Sequence, residues 1–220
     1  MFDLLETTVQ NIQAAFASGE LTALELTMQY LERIAEIDQS GPGLNSVLEI
    51  NPDALDREYA QHGPRSPLHG IPVLIKDNIN THDKMHTSAG SLALANNYAP
   101  YDAHIVTRLR KAGAIILGKA NMTELANFLT NGMRNGFSSR GGCVLNPYGA
   151  DLNVGGSSSG SGAAVSANLC AIAVGTETSG SILCPANWNG VVGVKPTKGL
   201  VSRTGIIPIC TAQDTAGPLA

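Results

Sequence analysis

The sequence predicts an α/β fold built on a central mixed sheet, and three observations lead there. Apolar runs of four or five residues recur at 47–50, 71–75, 114–117, 171–174 and 191–194, each bounded by Gly, Pro, Asn or Asp. Runs this short, so bounded, suit buried strands better than helices. Segments with helical spacing stand before and between them, and alternation of the two patterns is the mark of an α/β chain. Glycines concentrate in residues 141–220, where they predict tight turns and close backbone approach.

Taken in order, Leu5, Val9, Ile12 and Phe16 line one face of a first helix ending near Ser18-Gly19. Thr22 and Glu25 form a T-x-x-E capping box that opens a second helix, with Leu24, Met28, Leu31 and Ala35 as its apolar stripe and G-P-G at 41–43 as its stop. The acidic residues of this region are expected on solvated faces opposite those stripes. VLEI (47–50) and IPVLI (71–75) read as strands. HIVTRLRK (104–111) has helical periodicity and ends at Gly113, ahead of the strand AIIL (114–117). AIAV (171–174) and VVGV (191–194) complete the set of buried strands. There is no internal repeat.

The bulk numbers exclude several functions. With 43% hydrophobic and 15% charged residues the 220-residue chain is globular, not disordered. A net charge of −4 argues against a nucleic-acid partner, which needs a basic face. No apolar run approaches the roughly 20 residues of a membrane helix, and the N-terminus lacks a basic start and an apolar core, so a cytoplasmic protein is expected. Cys143, Cys170, Cys184 and Cys210 have no CxxC spacing, and neither His62, His69, His82, His86 nor His104 forms a paired motif on a helix. No metal site and no disulfide framework are expected.

The segment that carries chemistry runs from Gly155 to Pro196. Gly155-Gly156 allows a sharp turn, after which Ser157-Ser158-Ser159 opens a helix with AAVSANL as its body. A strand, AIAVGTE, ends at a second turn of small residues, Thr178-Ser179-Gly180-Ser181. Two serines thus sit on two glycine-flanked turns, and a serine nucleophile needs a base. No histidine stands in a Ser-His-Asp context, and G-x-S-x-G is absent around Ser181. A Ser-Lys arrangement is the alternative, and Lys76, at the end of IPVLI, is the candidate base because desolvation favours its neutral amine. Each residue also has an ordinary explanation: a helix cap, a surface charge, or a phosphate cradle that lacks the P-loop ending. From spacing alone these stay open.

The motifs GGSSSGSGAAVSA, GTETSGSILCPA, VVGVKPTKGLVSRTGIIPI and QDTAGPLA, preceded by PLHGIPVLIKDNI, SAGSLALA, AGAIILGKANMTELA and NPYG, resemble the amidase signature family in series and in order, from about Pro67 to Ala220. Among its branches the chain is most similar to the peptide-amidase-like group. The resemblance implies an amidase-signature α/β/α sandwich with a central mixed β-sheet flanked by helices. It implies one domain over 1–220, with a helical layer (1–60) and a catalytic core (61–220). It also implies a nucleophile at Ser181, a relay at Ser157 after a cis Gly-Ser peptide, and a base at Lys76. The two serines stand 24 residues apart, as in the family. Backbone N–H groups of Thr178, Ser179, Gly180 and Ser181 would form the oxyanion hole. The implied reaction is hydrolysis of a small amide or peptide amide through an acyl-enzyme, with no metal or organic cofactor.

Three positions depart from the common pattern: Leu183 where many members carry Arg, Glu177 where Asp is frequent, and Ser179 where Gly is common. The chain is also short for the family, and the resemblance implies that it corresponds to the N-terminal part, the C-terminal half being absent. Exposed sheet edges would then favour self-association. Two other readings stand beside the free amidase: an A-type component of a glutamine-dependent tRNA amidotransferase, and a truncated non-catalytic remnant.

Overall fold

The computed structural model describes residues 2–55, 66–129 and 131–220; His62 and the boundary expected at 60–61 lie outside the described residues. In chain order the elements are α1 (Val9–Ser18), α2 (Ala23–Arg33), β1 (Val47–Ile50), β2 (Pro72–Lys76), α3 (His104–Lys111), β3 (Ile115–Ala120), β4 (Phe137–Ser138), β5 (Gly142–Cys143), α4 (Ser159–Ser166), β6 (Ile172–Glu177), α5 (Leu183–Trp188) and β7 (Thr215–Leu219). The main sheet has the order β1-β3-β2-β6-β7. Its three inner strands are parallel and its two outer ones antiparallel, so the sheet is mixed, as expected. All residues of β2 and β3 are buried, which is why they read as unbroken apolar runs.

α1 begins later than its periodicity suggests. The Thr8 hydroxyl accepts the Asn11 N–H at 3.1 Å and starts the helix there, leaving Leu5 outside it and 54% exposed. Gly19 closes the helix in the left-handed conformation. The capping box of α2 is present in both directions, with Thr22 Oγ1 accepting from Glu25 N and Glu25 Oε2 accepting from Thr22 N.

The expected stripe of α2 is the wrong one. Leu26, Tyr30 and Ile34 are buried, whereas Leu24 and Met28 are 53% and 44% exposed and Ala35 faces outward. Apolar residues lie on more than one side of the helix, so 3-4 spacing fits two faces. The buried face is selected by tertiary packing: Leu26, Tyr30 and Ile34 share one core cluster with Ile71, Val73 and Ile75 of the sheet region. The helical path ends in a π-helical turn, Ile34–Asp38, just ahead of G-P-G. Asp38 is not solvated as expected of this acidic region. It is buried and accepts the N–H groups of Ser46 (2.7 Å) and Val47 (3.0 Å) and the Ser46 hydroxyl. Burial raises its pKa despite those bonds.

VVGV is likewise not a buried strand. Val192 and Val194 are 68% and 50% exposed, and only Gly193 makes a bridge, to Leu219. The segment runs along β7 through Val192 N to Ala220 O (2.8 Å) and Val194 N to Pro218 O (3.0 Å), an irregular outer ribbon. The place it was expected to fill belongs to β7, whose Gly and Pro conceal a strand in the sequence.

Two glycines set the position of α4. A Cβ on Gly160 would lie 2.3 Å from the Ser46 carbonyl oxygen and 2.4 Å from that of Asn121, so only glycine lets the helix start against the end of β3. A Cβ on Gly175 in β6 would lie 2.7 Å from Ser158 Oγ, so the strand gives up a side chain to admit that hydroxyl. No helix among the described residues is long and apolar enough to cross a membrane.

The two faces of α2 give a direct test. Leu26→Ala is expected to lower unfolding free energy by about 2–5 kcal/mol, as deletion from a packed core does, and Met28→Ala by less than about 0.5 kcal/mol. Urea denaturation measures both; equal losses would contradict the observed burial.

Candidate functional site

The site forms where the parallel strands β2 and β6 end beside the start of α4. Lys76 is the last residue of β2, in register with Ala120 on β3, and has no exposed surface. Its amine lies 2.7 Å from Ser157 Oγ, 2.9 Å from Ser158 Oγ, 2.9 Å from Thr176 Oγ1 and 3.3 Å from the Thr176 carbonyl oxygen. No carboxylate among the described residues touches it. Burial therefore pushes its pKa well below the ordinary 10.5, and the charge of Glu177 only partly opposes this.

Ser157 follows a cis Gly156–Ser157 peptide and is fully buried. Its carbonyl accepts the Thr123 N–H at 3.0 Å. The Ser158 N–H donates to the Ser181 carbonyl at 3.2 Å and ties the first serine turn to the second. The structure thus brings Lys76, Ser157 and the Ser181 turn to one place. Ser181 is 5% exposed, and its hydroxyl makes no hydrogen bond among the described residues, so the Ser157–Ser181 link of the expected relay is not formed here.

The second turn is shaped from outside. Glu177, at the position where Asp is frequent, accepts the N–H groups of Ile182 (2.7 Å) and Leu183 (2.9 Å). Thr178 Oγ1 donates to Asp214 at 2.6 Å, and Asp214 also accepts the N–H groups of Ile209 and Cys210. The carbonyls of Gly180 and Ser181 are engaged, but the N–H groups of Thr178, Ser179, Gly180 and Ser181 donate to no protein acceptor among the described residues. They are left available for an external oxygen, the property an oxyanion hole requires. Leu183 is 47% exposed and takes no part in these bonds through its side chain.

Sequence reasoning missed several participants. Ser158 and Thr176 surround the amine with Ser157. Asn78 Nδ2 donates to Thr176 Oγ1 at 3.0 Å. Asp77 is buried and accepts the Gly90 N–H at 2.9 Å and the Ser88 hydroxyl, with Arg140 at 3.7 Å. Lys119, near the end of the neighbouring strand β3, is as deeply buried as Lys76, and burial lowers its pKa to about 8 against the pull of Asp77. It donates to the Ile79 carbonyl (2.6 Å) and to Thr87 (2.9 Å) and meets neither serine turn. The signal for it was present: a lysine near the end of an apolar run, as at Lys76. An open cleft of about 490 Å³ adjoins the site, lined among others by Asn78, Thr176, Glu177, Thr178 and Asp214.

Fold and site together define an α/β protein in which a buried strand-end lysine meets the first of two serine-bearing turns, which the Ser158–Ser181 backbone hydrogen bond ties to the second. Residues 25–220 match the family model for amidase. The chain is 47% identical over 226 residues to a probable amidase of Arabidopsis thaliana, covering 99% of this chain and 44% of that one. It is 42% identical over 224 residues to the A component of the glutamyl-tRNA(Gln) amidotransferase of Methylobacillus flagellatus, again with 99% and 44% covered. Among solved structures, native peptide amidase from Stenotrophomonas maltophilia superposes with a TM-score of 0.95 at 56% identity, covering 100% of this chain and 46% of that one. The chain belongs to the amidase family. It spans less than half the length of these relatives.

The depressed Lys76 pKa has a thermodynamic signature. Between the lowered folded value and the ordinary 10.5, the unfolded chain holds a proton that the folded chain does not. The unfolded state binds more protons, so this group makes stability rise with pH across that window. Lys76→Met should flatten the rise by about 1.4 kcal/mol per pH unit. Urea unfolding of both proteins at several pH values up to about 10 checks this; curves parallel throughout would mean that Lys76 keeps its proton when folded.

Proposed function

We propose that the chain carries the acyl-transfer centre of an amide hydrolase, with Ser181 as nucleophile, Ser157 as relay and Lys76 as base. The observation that carries this is the 2.7 Å contact between a fully buried lysine amine and Ser157 Oγ. Proton bookkeeping supports the direction of transfer. A neutral amine has two N–H donors and one lone pair. The Thr176 carbonyl can only accept, and Ser158 already donates its proton there at 3.1 Å, so its oxygen faces Lys76 as an acceptor. The lone pair is then left for a hydroxyl proton, and Ser157 at 2.7 Å is the nearer of the two remaining hydroxyls, with Thr176 at 2.9 Å.

Lys76 takes that proton as Ser157 takes the proton of Ser181. Ser181 Oγ bonds to the amide carbon, and the carbonyl oxygen becomes an oxyanion held by the N–H groups of residues 178–181. One such donor is worth about 2.7–4 kcal/mol. Ser157 then returns a proton to the departing nitrogen, recovering its own from Lys76, and the C–N bond breaks to release ammonia or an amine. Water, deprotonated through the same relay, cleaves the ester and frees the acid. Substrate binding turns the Ser181 hydroxyl toward Ser157, closing the link that is open without it; such bonds commonly tighten only in the complex. The substrate is a small amide or peptide amide, and the closeness to peptide amidase favours the latter. The exposed Trp188, Val192, Val194 and Leu200 supply an apolar surface for self-association.

The similarity to the A components of tRNA amidotransferases supports a second reading, a glutaminase centre that works within a complex. Ammonia release from a panel of small amides and peptide amides separates the two. Ser181→Ala, Ser157→Ala and Lys76→Ala should each lower kcat/KM by more than about 10³-fold, and a double variant little further, because the residues act as a unit. Activity surviving in Ser181→Ala would remove the mechanism. Glutaminase activity that appears only with added partner proteins would favour the second reading. A folded protein inactive under all conditions would favour the remnant.

A further inference from the structure

We infer that Asn78 is a substrate-positioning residue whose side-chain oxygen receives an N–H of the scissile carboxamide, making the site selective for amides over esters of the same acid. This rests on the proposed amide hydrolysis and adds a specificity element to it.

Asn78 is 3% exposed and rigidly held. Its backbone carbonyl accepts the Ile207 N–H at 2.9 Å, and its Nδ2 donates to Thr176 Oγ1 at 3.0 Å. Its Oδ1 is buried and has no partner among the described residues. Buried oxygens of this kind are normally paired, and an exception at a cleft calls for a ligand donor. Four buried side-chain atoms among the described residues lack a partner: Asn78 Oδ1, Arg110 Nη1, Ser166 Oγ and Asn189 Oδ1. Of these residues only Asn78 lines the cleft beside the serine turns. It also borders a second hollow of about 390 Å³, whose other walls include Ala89, Leu125, Phe128 and Ile207, so it is a polar point shared by two hollows.

Complementarity then assigns its role. A carboxamide brings one acceptor and N–H donors. The free N–H groups at 178–181 match the acceptor. Most of the nearby acceptors are already engaged: the Thr176 carbonyl by Ser158 and Lys76, Glu177 by Ile182 and Leu183, and Asp214 by Thr178, Ile209 and Cys210. Asn78 is the cleft-lining residue whose buried side-chain oxygen remains unpaired among the described residues. An ester of the same acid has no N–H to offer it, and would leave it unpaired in the complex as it is in the free protein.

The test compares kcat/KM, which reports acylation, for a primary amide and the methyl ester of the same acyl group, in the wild-type protein and in Asn78→Ala. The amide value is expected to fall about 10- to 100-fold and the ester value by less than about threefold, lowering the amide-to-ester ratio. Thr176→Val, which disturbs the groups around Lys76, should lower both alike. An equal loss on both substrates in Asn78→Ala would mean that the residue acts only through Thr176, and no loss on the amide would mean that it does not act; either overturns the assignment and leaves the hydrolase reading standing. A wild-type protein that turns over neither substrate would sink that reading and this assignment with it.

Discussion

A lysine amine taken fully out of water, with only hydroxyls and one carbonyl for neighbours, is the constraint around which the rest is arranged. A charged amine in such a place is costly, because Glu177 offsets only part of the lost solvation. The neutral form is the one this environment favours, and it needs fewer donors satisfied. The surroundings meet that need closely: Ser157, Ser158 and Thr176 all lie within hydrogen-bond distance. The parallel strands supply the dry environment, since their inner position leaves no face for solvent.

The contrast with Lys119 makes the point sharper. Both lysines stand on neighbouring parallel strands, and Lys119 pairs in register with Ile75. Lys119 has Asp77, Asp83 and Glu49 acting on it, and its pKa falls only to about 8. Around it, Arg140 reaches Glu49 at 2.8 Å, and His86 meets the same carboxylate at 2.9 Å. This network anchors the segment that follows β2, because Asp77 collects Ser88 and Gly90 from the next loop. One buried lysine is thus surrounded by charge and serves as a brace, while the other has Glu177 alone acting on it and its pKa is pushed much further down. The residue type is the same, and the difference lies in which side chains the fold brings near.

Much of the fold was legible. The inner strands announced themselves because burial on both faces demands continuous apolar runs, and the capping box at Thr22 is a local signal that needs no tertiary help. What failed did so for identifiable reasons. α2 is apolar on more than one side, so periodicity could not choose between Leu26-Tyr30-Ile34 and Leu24-Met28. VVGV looks like a strand, yet it lies outside β7, where one bridge holds it and water reaches its valines. Thr215–Leu219 hid because Gly217 and Pro218 are poor strand residues, tolerated where the pairing partner is β6 on one side and an irregular ribbon on the other.

By itself the sequence determined the local chemistry: which turns are sharp, which helix ends are capped, which strands are dry, and that two serines sit on glycine-flanked turns. Those properties depend on residues within a few positions of one another. Only the tertiary structure decided that the Lys76 amine lies against Ser157 while Lys119 is taken up by Ile79 and Thr87, that Ser158 and Thr176 complete the shell of the first amine, and that the Asn78 oxygen is left without a partner among the described residues. These are matters of distance between segments up to 100 residues apart. They are settled when α4 packs against the sheet through Gly160 and Gly175, because that approach alone sets how far each side chain must reach.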